Sequence, residues 1–515
     1  MNMVLKKAVS VLLVIITLFG VMSISAAAAT SYENDLPTVY LAGATQKVYK
    51  SGKQVWPVKK EIADILLANS QELLSAFASS LLSSDWSVYG DVLNETLAKY
   101  YSAGTLDKNG NPKKGTDIKH SAAPETKTQK FGLKDYVFNY DPRLDPWETA
   151  EELSDYISAV LKATGKKKVN LVGRCMGACF VSAYLCRYGR SKVDTVIYYA
   201  SAAKGSTICS ELFAGKLKFD STTINSYAND YMGDDEISAL LSAVVNVTYT
   251  LNMLGMGTSL ATSIFEELKV EVFPELLRTT YATMPSYWAM VGEDDYEDAK
   301  KYIFAGCESE YAGLIKKIDN YHSKVKLVLD KKLKEYQKAG MKIAVIAKYN
   351  IAFLPLIESS NVQADGKVSL KDISFGAKSA DIGKTLSASY INSAKKKGNL
   401  DYISDDLIVD ASTCLFPDYT WFVRDIEHGE IPKTIDTLIL KILRSKNQQT
   451  VKSFSAYPQF TSYDAGTKKL TEITGTIPSG TVGNTSNSSN GLANLVNIFA
   501  SLFKIIANAF VLLMK

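Results

Sequence analysis

Val169-Asn170-Leu171-Val172-Gly173-Arg174-Cys175-Met176-Gly177 runs a short buried-strand pattern straight into the start of a helix. The chain must turn sharply between the two, and a turn that tight forces its central residue into strained backbone angles. Side chains two positions to either side would clash, so glycine is needed at 173 and 177. The residue at the tip, Cys175, is lifted clear of the sheet. Its sulfur then sits at a helix N-terminus, where the dipole favours the thiolate. Gly-x-Cys-x-Gly alone is a weak signal. With a strand before it and a helix after it, it is a nucleophile elbow with cysteine in place of serine.

The sequence on either side fits a strand–helix alternation. Strands are expected at Thr38 to Ala42, Tyr136 to Asn139, Val169 to Val172, Thr195 to Tyr199, Lys342 to Ala347 and Tyr419 to Val423. Trp147 to Thr164 reads as a helix, with Leu153, Ile157, Val160 and Leu161 on one face and Gly165 as its stop. Lys59 to Leu82 and Ile431 to Leu443 have the same character, and a helix follows from Cys175. The predicted fold class is therefore α/β, a mostly parallel central sheet flanked by helices. Between Gly205 and about Gly340 the alternation gives way to helical patterns such as Ile237 to Leu254 and Tyr311 to Lys338. That stretch is expected to be a helical cap over the pocket. The organisation is then 30–205 plus 340–450 as core, 206–339 as cap insertion, 451–490 as an extension ending in a Gly/Ser/Thr/Asn-rich linker, and 491–515 as an apolar C-terminal helix.

The two ends carry their own signals. Lys6 and Lys7, the apolar run Val9 to Ile24 and the small residues Ser25 to Ala29 form a secretory signal peptide over residues 1–29, so the chain is expected outside the cell. In the tail Leu492 to Met514, Asn494, Asn497, Ser501, Lys504 and Asn508 recur at spacings of three and four and make one narrow polar stripe. Such a helix suits a membrane surface or a helical assembly, and the central lysine counts against a simple span. A net charge of +4 over 515 residues, with no basic run interleaved with aromatics, excludes nucleic acid as the expected partner. Three of the six cysteines fall within 12 residues on one helix, where bridges are awkward; one or two disulfides at most are expected, none essential to the fold.

A cysteine nucleophile needs a base, and the chain has three histidines. His120 lies in a polar stretch and His322 on a charged cap helix; both read as surface residues. His428 follows the last predicted strand by a short loop, after the elbow and after every acid candidate, in the order nucleophile, acid, histidine. The acid must orient the imidazole and stabilise its protonated form. Asp406 has the form Asp-x-x-Val 22 residues before His428 and is preferred, with Asp365 and Asp410 as alternatives. The oxyanion hole should be the backbone N–H of Met176, next after the nucleophile, and that of Ala44 in the turn Tyr40-Leu41-Ala42-Gly43-Ala44, with Thr45 close behind. No metal cluster or nucleotide loop is visible, so no cofactor is expected.

With these parts in place the chain resembles the α/β-hydrolase lipases that include lecithin–cholesterol acyltransferase and the phospholipid–diacylglycerol acyltransferases. Tyr140-Asp141-Pro142-Arg143 is similar to that family's Tyr-Asp-Trp-Arg, and 147–177 follows its helix, strand and elbow. Ser201 to Ser206 corresponds to Thr-Pro-x-x-Gly-Ser, with Ala202 in place of the proline, and 36–57 resembles the opening strand and oxyanion loop. The resemblance covers roughly 36–206 and 340–430 and leaves the cap unmatched. It implies Cys175, Asp406 and His428 as the triad of an acyl-ester hydrolase or acyltransferase, with a hydrophobic acyl-ester or lipid substrate. The family's nucleophile is serine; dienelactone hydrolases and polyhydroxyalkanoate synthases carry Gly-x-Cys-x-Gly and use the thiol. The other expectation weighed is an inactive binding protein on the same fold.

Overall fold

Successive strand residues point to opposite faces of a sheet, so a run that is apolar throughout must be covered on both sides. Leu171, Tyr198, Ile343 and Phe422 enter one core, and Val172, Ile197, Ala344 and Trp421 enter the other. The computed structural model describes residues 35–59, 65–66, 68–125, 132–218, 258–353, 357–473 and 481–482. In it these strands form one eight-stranded sheet. In chain order its members are β1 (Thr38–Leu41), β2 (Tyr136–Val137), β3 (Val169–Cys175), β4 (Val193–Ser201), β5 (Lys342–Tyr349), β6 (Thr420–Arg424), β7 (Phe460–Asp464) and β8 (Lys469–Glu472). Their spatial order is β8-β7-β6-β5-β4-β3-β1-β2, parallel throughout except for the antiparallel pair at the β8 edge. All six strands expected from sequence are present.

On one face lie α1 (Pro146–Thr164) and α2 (Gly177–Tyr188); on the other lies α3 (Lys433–Arg444). The start of α1 is fixed by Asp145, whose side chain accepts from the Trp147 N–H, with Pro146 at the first helical position. Gly165, at φ 67°, ends it in the left-handed conformation. The face carrying Leu153, Ile157 and Val160 is fully buried.

Three parts of the sequence reading change. Strands β7 and β8 come from 460–472, inside the segment read as an extension, and they lengthen the sheet beyond β6. The cap segment is helical where described, in Thr258–Glu271, Phe273–Thr280, Pro285–Ala289, Tyr296–Phe304 and Ala312–Tyr321. The helix Leu329–Lys338 behaves as a sheet crossover instead: the Tyr336 hydroxyl donates to Leu185 O on α2 at 3.0 Å, and the chain passes directly into β5. The helices Ser70–Ser83 and Ser87–Tyr101 join the helix Thr258–Glu271, through a hydrogen bond from the Trp86 indole to Glu267. The signal segment, Ile237 to Leu254 and the C-terminal tail lie outside the described residues. No described helix is long and apolar enough to cross a membrane.

Because Ile157 is fully buried between α1 and the sheet, Ile157→Ala is expected to lower unfolding free energy by ~2–5 kcal/mol. Urea denaturation measures it; a change under half a kilocalorie would show that α1 is not packed as described.

Candidate active site

Cys175 ends β3 at φ 51°, the left-handed region that a residue with a side chain rarely occupies. The two glycines of the elbow are needed for different reasons. A Cβ at Gly173 would stand 2.8 Å from the Cα of Ala178, inside the turn itself. A Cβ at Gly177 would stand 2.4 Å from Ala42 O and 2.5 Å from Leu41 O, so this glycine lets α2 pack against the end of β1. The residues following β1 then pass over the nucleophile: a Cβ on Gly43 would lie 3.1 Å from Cys175 Cβ and 3.5 Å from Sγ.

That loop is pinned from several sides. The Tyr140 hydroxyl donates to Ala42 O at 2.6 Å, Gln46 donates to Asn139 Oδ1 at 2.8 Å, and Thr45 N–H closes a turn onto Gly43 O at 2.7 Å. Tyr140 heads the Tyr-Asp-Pro-Arg motif, whose other members form a buried ion pair: Arg143 Nη2 meets Asp141 Oδ2 at 2.6 Å. Arg143 also donates to Gly104 O at 2.6 Å, tying this motif to the turn after the helix Ser87–Tyr101.

His428 follows β6 on a short loop and is buried. Its Nδ1 lies 2.6 Å from Asp365 Oδ2, and its own N–H donates to Asp365 O at 2.9 Å. Asp365 sits in an Asp-Gly-Lys-Val turn whose Gly366 has φ 88°. Its Oδ1 accepts from the N–H groups of Lys367 (3.1 Å) and Val368 (2.9 Å), which leaves Oδ2 for the imidazole. On the far side of the ring, Nε2 makes no well-formed hydrogen bond. Even so, the Cys175 thiol is close enough for thiol and imidazole to change each other's proton affinity. Loose alignment of this kind is common in a catalytic pair before substrate binds.

Residues 119–218, which carry β2 through the elbow and β4, match the family described as alpha/beta hydrolase fold. The chain has the α/β-hydrolase fold. No curated protein matches the sequence significantly. Among solved structures, the Tle4–Tli4 complex is similar at 14% identity over 61% of this chain and 75% of that one, with a TM-score of 0.22. A meta-cleavage product hydrolase, CumD, gives 13% identity over 79% and 90%, TM-score 0.20. The haloalkane dehalogenase DatA from Agrobacterium tumefaciens gives 11% over 60% and 80%, TM-score 0.14. Likenesses this slight bear no weight on activity.

Within this fold the carboxylate beside the histidine is Asp365, not Asp406. Asp406 is already saturated. Its Oδ1 accepts from Ser404 Oγ (2.6 Å) and Ile408 N–H (3.2 Å), and its Oδ2 accepts from Arg424 Nη1 (3.0 Å) and Tyr349 OH (3.3 Å). Asp410 is engaged elsewhere, by Tyr390 OH at 2.7 Å and Ser412 N–H at 2.8 Å. His120 is exposed and pairs with Asp117 at 2.9 Å. His322 is not a simple surface residue: its ring stacks on Tyr296 with centroids 3.8 Å apart. Met176 comes directly after the nucleophile at the start of α2, and Ala44 follows Gly43 in the turn over the sulfur. All six cysteines are free thiols. Among the described residues no group of three or more His, Cys, Asp or Glu is placed to hold a metal ion.

The site's charges support one another. Burial opposes a charged sulfur, but the positive charges of His428 and of the Arg174 guanidinium outweigh it and draw the Cys175 thiol down to about 7. Burial also opposes an imidazolium, yet Asp365 and the sulfur raise His428 to about 9. Burial would push Asp365 up, but His428 and Lys348 hold it below the usual carboxylate range. Both shifts, the thiol down and the imidazole up, run in the direction of a thiolate–imidazolium pair. Elsewhere burial pushes thiols the other way, Cys179 and Cys414 to about 11 and Cys186 and Cys209 to about 12. Arg174 and Lys348 are the site residues that sequence reading missed; the only signal was a basic residue next to the last position of each of two largely apolar strands.

Iodoacetamide should therefore label Cys175 first, with a rate that rises through about pH 7 rather than 9. Asp365→Asn removes the charge that holds the imidazolium and should move that midpoint up by roughly one unit or more. Asp406→Asn should leave it in place. The reverse pattern in a mass-resolved labelling series would return the acid role to Asp406.

Proposed function

We propose that the protein is a carboxylic-ester or thioester hydrolase, or an acyltransferase, using Cys175, His428 and Asp365. The observation that carries this reading is the meeting of three elements: a strained elbow cysteine, a buried imidazole and the carboxylate at its Nδ1, 2.6 Å away. The thiolate of Cys175 attacks the acyl carbon, a C–S bond forms, and the carbonyl π pair moves onto oxygen. The backbone N–H groups of Met176 and Ala44 receive that oxyanion. When it collapses the C–O or C–S bond to the leaving group breaks, and the imidazolium of His428 gives its Nε2 proton to the departing atom. Water, or an alcohol in the transferase case, then attacks the thioester while His428 takes its proton, and Cys175 leaves as thiolate. Asp365 keeps the imidazole in the tautomer and orientation both steps require.

The acyl group is proposed to be hydrophobic, of lipid or lipid-like chemistry, in keeping with the lipase resemblance. The segment 1–29 is proposed to direct export, and 491–515 to hold the enzyme at a membrane surface.

p-Nitrophenyl esters of graded acyl length are the direct assay. Cys175→Ala is expected to lower kcat by roughly a thousandfold or more, and Cys175→Ser to restore only a small part, because the serine hydroxyl does not ionise near pH 7. Labelled Cys175 with no turnover on any ester or thioester would favour a binding protein. Deleting 492–515 is expected to abolish flotation with liposomes while leaving ester turnover intact.

A further inference from the structure

The loop that carries the imidazole is held from behind by two buried cations that a thiol, an imidazole and a carboxylate do not by themselves require. Lys348, fully buried on β5, donates from Nζ to the carbonyl oxygens of Glu427 (2.9 Å), His428 (3.1 Å) and Glu430. Arg174, between the two elbow residues Gly173 and Cys175, donates from Nη2 to the carbonyl oxygens of His428 (2.7 Å) and Gly429 (3.2 Å). All four consecutive carbonyls from 427 to 430 are thus taken, and that of His428 twice. Both cations lie over the ring of Tyr199, 5.1 Å and 5.9 Å from its centroid, and the Tyr199 hydroxyl reaches Glu430 O at 3.4 Å.

A turn's carbonyls are ordinarily satisfied by water or by backbone N–H groups. Two desolvated cations are a costly substitute, and in β5 the rest of Ile343 to Ala347 is apolar. What they add is rigidity and position. The N–H of His428 is held by Asp365 O and its carbonyl by Lys348 and Arg174, so the backbone has no freedom to swing the ring away from the sulfur. Arg174 is also covalently next to Cys175, so it ties the elbow and the histidine loop to each other.

We propose that Arg174 and Lys348 are positioning residues: they lock residues 427–430 so that Nε2 of His428 stays directed at Cys175. The proposal rests on the cysteine-nucleophile reading. The Arg174 guanidinium further favours the anionic sulfur, whereas burial draws the Lys348 amine down to about 7, so its contribution is the grip on the loop.

The test compares wild type with Lys348→Met, Arg174→Gln and Arg174→Lys. Amide hydrogen exchange at 427–430, kcat and KM on an ester, and the pH profile of iodoacetamide labelling are measured for each. Faster exchange confined to 427–430 is expected in the first two variants, with kcat lower by roughly 10- to 100-fold and KM nearly unchanged. Their labelling midpoint should rise, and Arg174→Lys should recover part of both effects. Unchanged loop exchange, or a looser loop with kcat intact, overturns the proposal. Protection lost evenly across the sheet in both Lys348→Met and Arg174→Gln overturns it as well, since the cations would then support the fold as a whole. If instead wild-type Cys175 labels like an ordinary thiol and turns over no ester, the cysteine-nucleophile reading fails. The exchange data then still report whether the loop is held.

Discussion

The left-handed backbone at Cys175 is the constraint around which the molecule is arranged. Such a conformation costs on the order of 1–3 kcal/mol and persists only where its surroundings over-determine it. Here the surroundings are explicit. Strand β3 is clamped between β1 and β4, with Leu41 opposite Gly173 and Ser201 opposite Cys175. Gly177 lets α2 close onto the carbonyls of Leu41 and Ala42. The carbonyl of Cys175 itself accepts from Ala202 N–H at 3.2 Å. Release any of these and the sulfur relaxes into the sheet, away from both the imidazole and the loop over it.

Electrostatics then decides what the half-buried sulfur can do. A serine at the elbow would keep its proton until attack, whereas the charge of His428 beside the thiol here lowers its proton affinity and favours the thiolate. In the proposed mechanism the imidazolium then protonates the leaving group. Two buried carboxylates in the same region show how local geometry selects a role. Asp365 spends one oxygen on its own turn and presents the other to a ring. Asp406 spends both oxygens on a serine, a tyrosine, an arginine and a backbone N–H, and serves to join Arg424 to the core. A charged group is available for chemistry only when its hydrogen-bonding capacity is not already exhausted by structure.

Much of this could be read from the residues, and the failures have physical causes. The elbow was legible because strand, glycine spacing and helix agree. The α1 boundaries were legible because Asp145-Pro146 and Gly165 are strong end signals. His428 followed from the scarcity of histidine. The acid was misassigned because closeness in sequence stood in for closeness in space. In the sheet β5 and β6 are neighbours, so the turn just after β5 reaches His428 although it lies far earlier in the chain. β7 and β8 escape a sequence reading because Phe460-Thr461-Ser462-Tyr463 and Lys469-Leu470-Thr471-Glu472 are the outermost two strands at one side of the sheet, largely open to solvent and mixed in polarity. The cations behind the histidine loop had no periodic signature at all; only three-dimensional contact reveals a lysine in an apolar strand as a donor to a distant turn.

In the proposed mechanism the sulfur of Cys175 forms the covalent bond to the acyl group. Rapid mixing with an activated ester, followed by acid quench and intact-mass measurement, observes that bond directly. The expected result is a transient mass gain of one acyl group, located on the peptide containing Cys175 and released by hydroxylamine as a thioester should be. Steady turnover with the acyl group on another residue, or with no covalent adduct at any time, would contradict it.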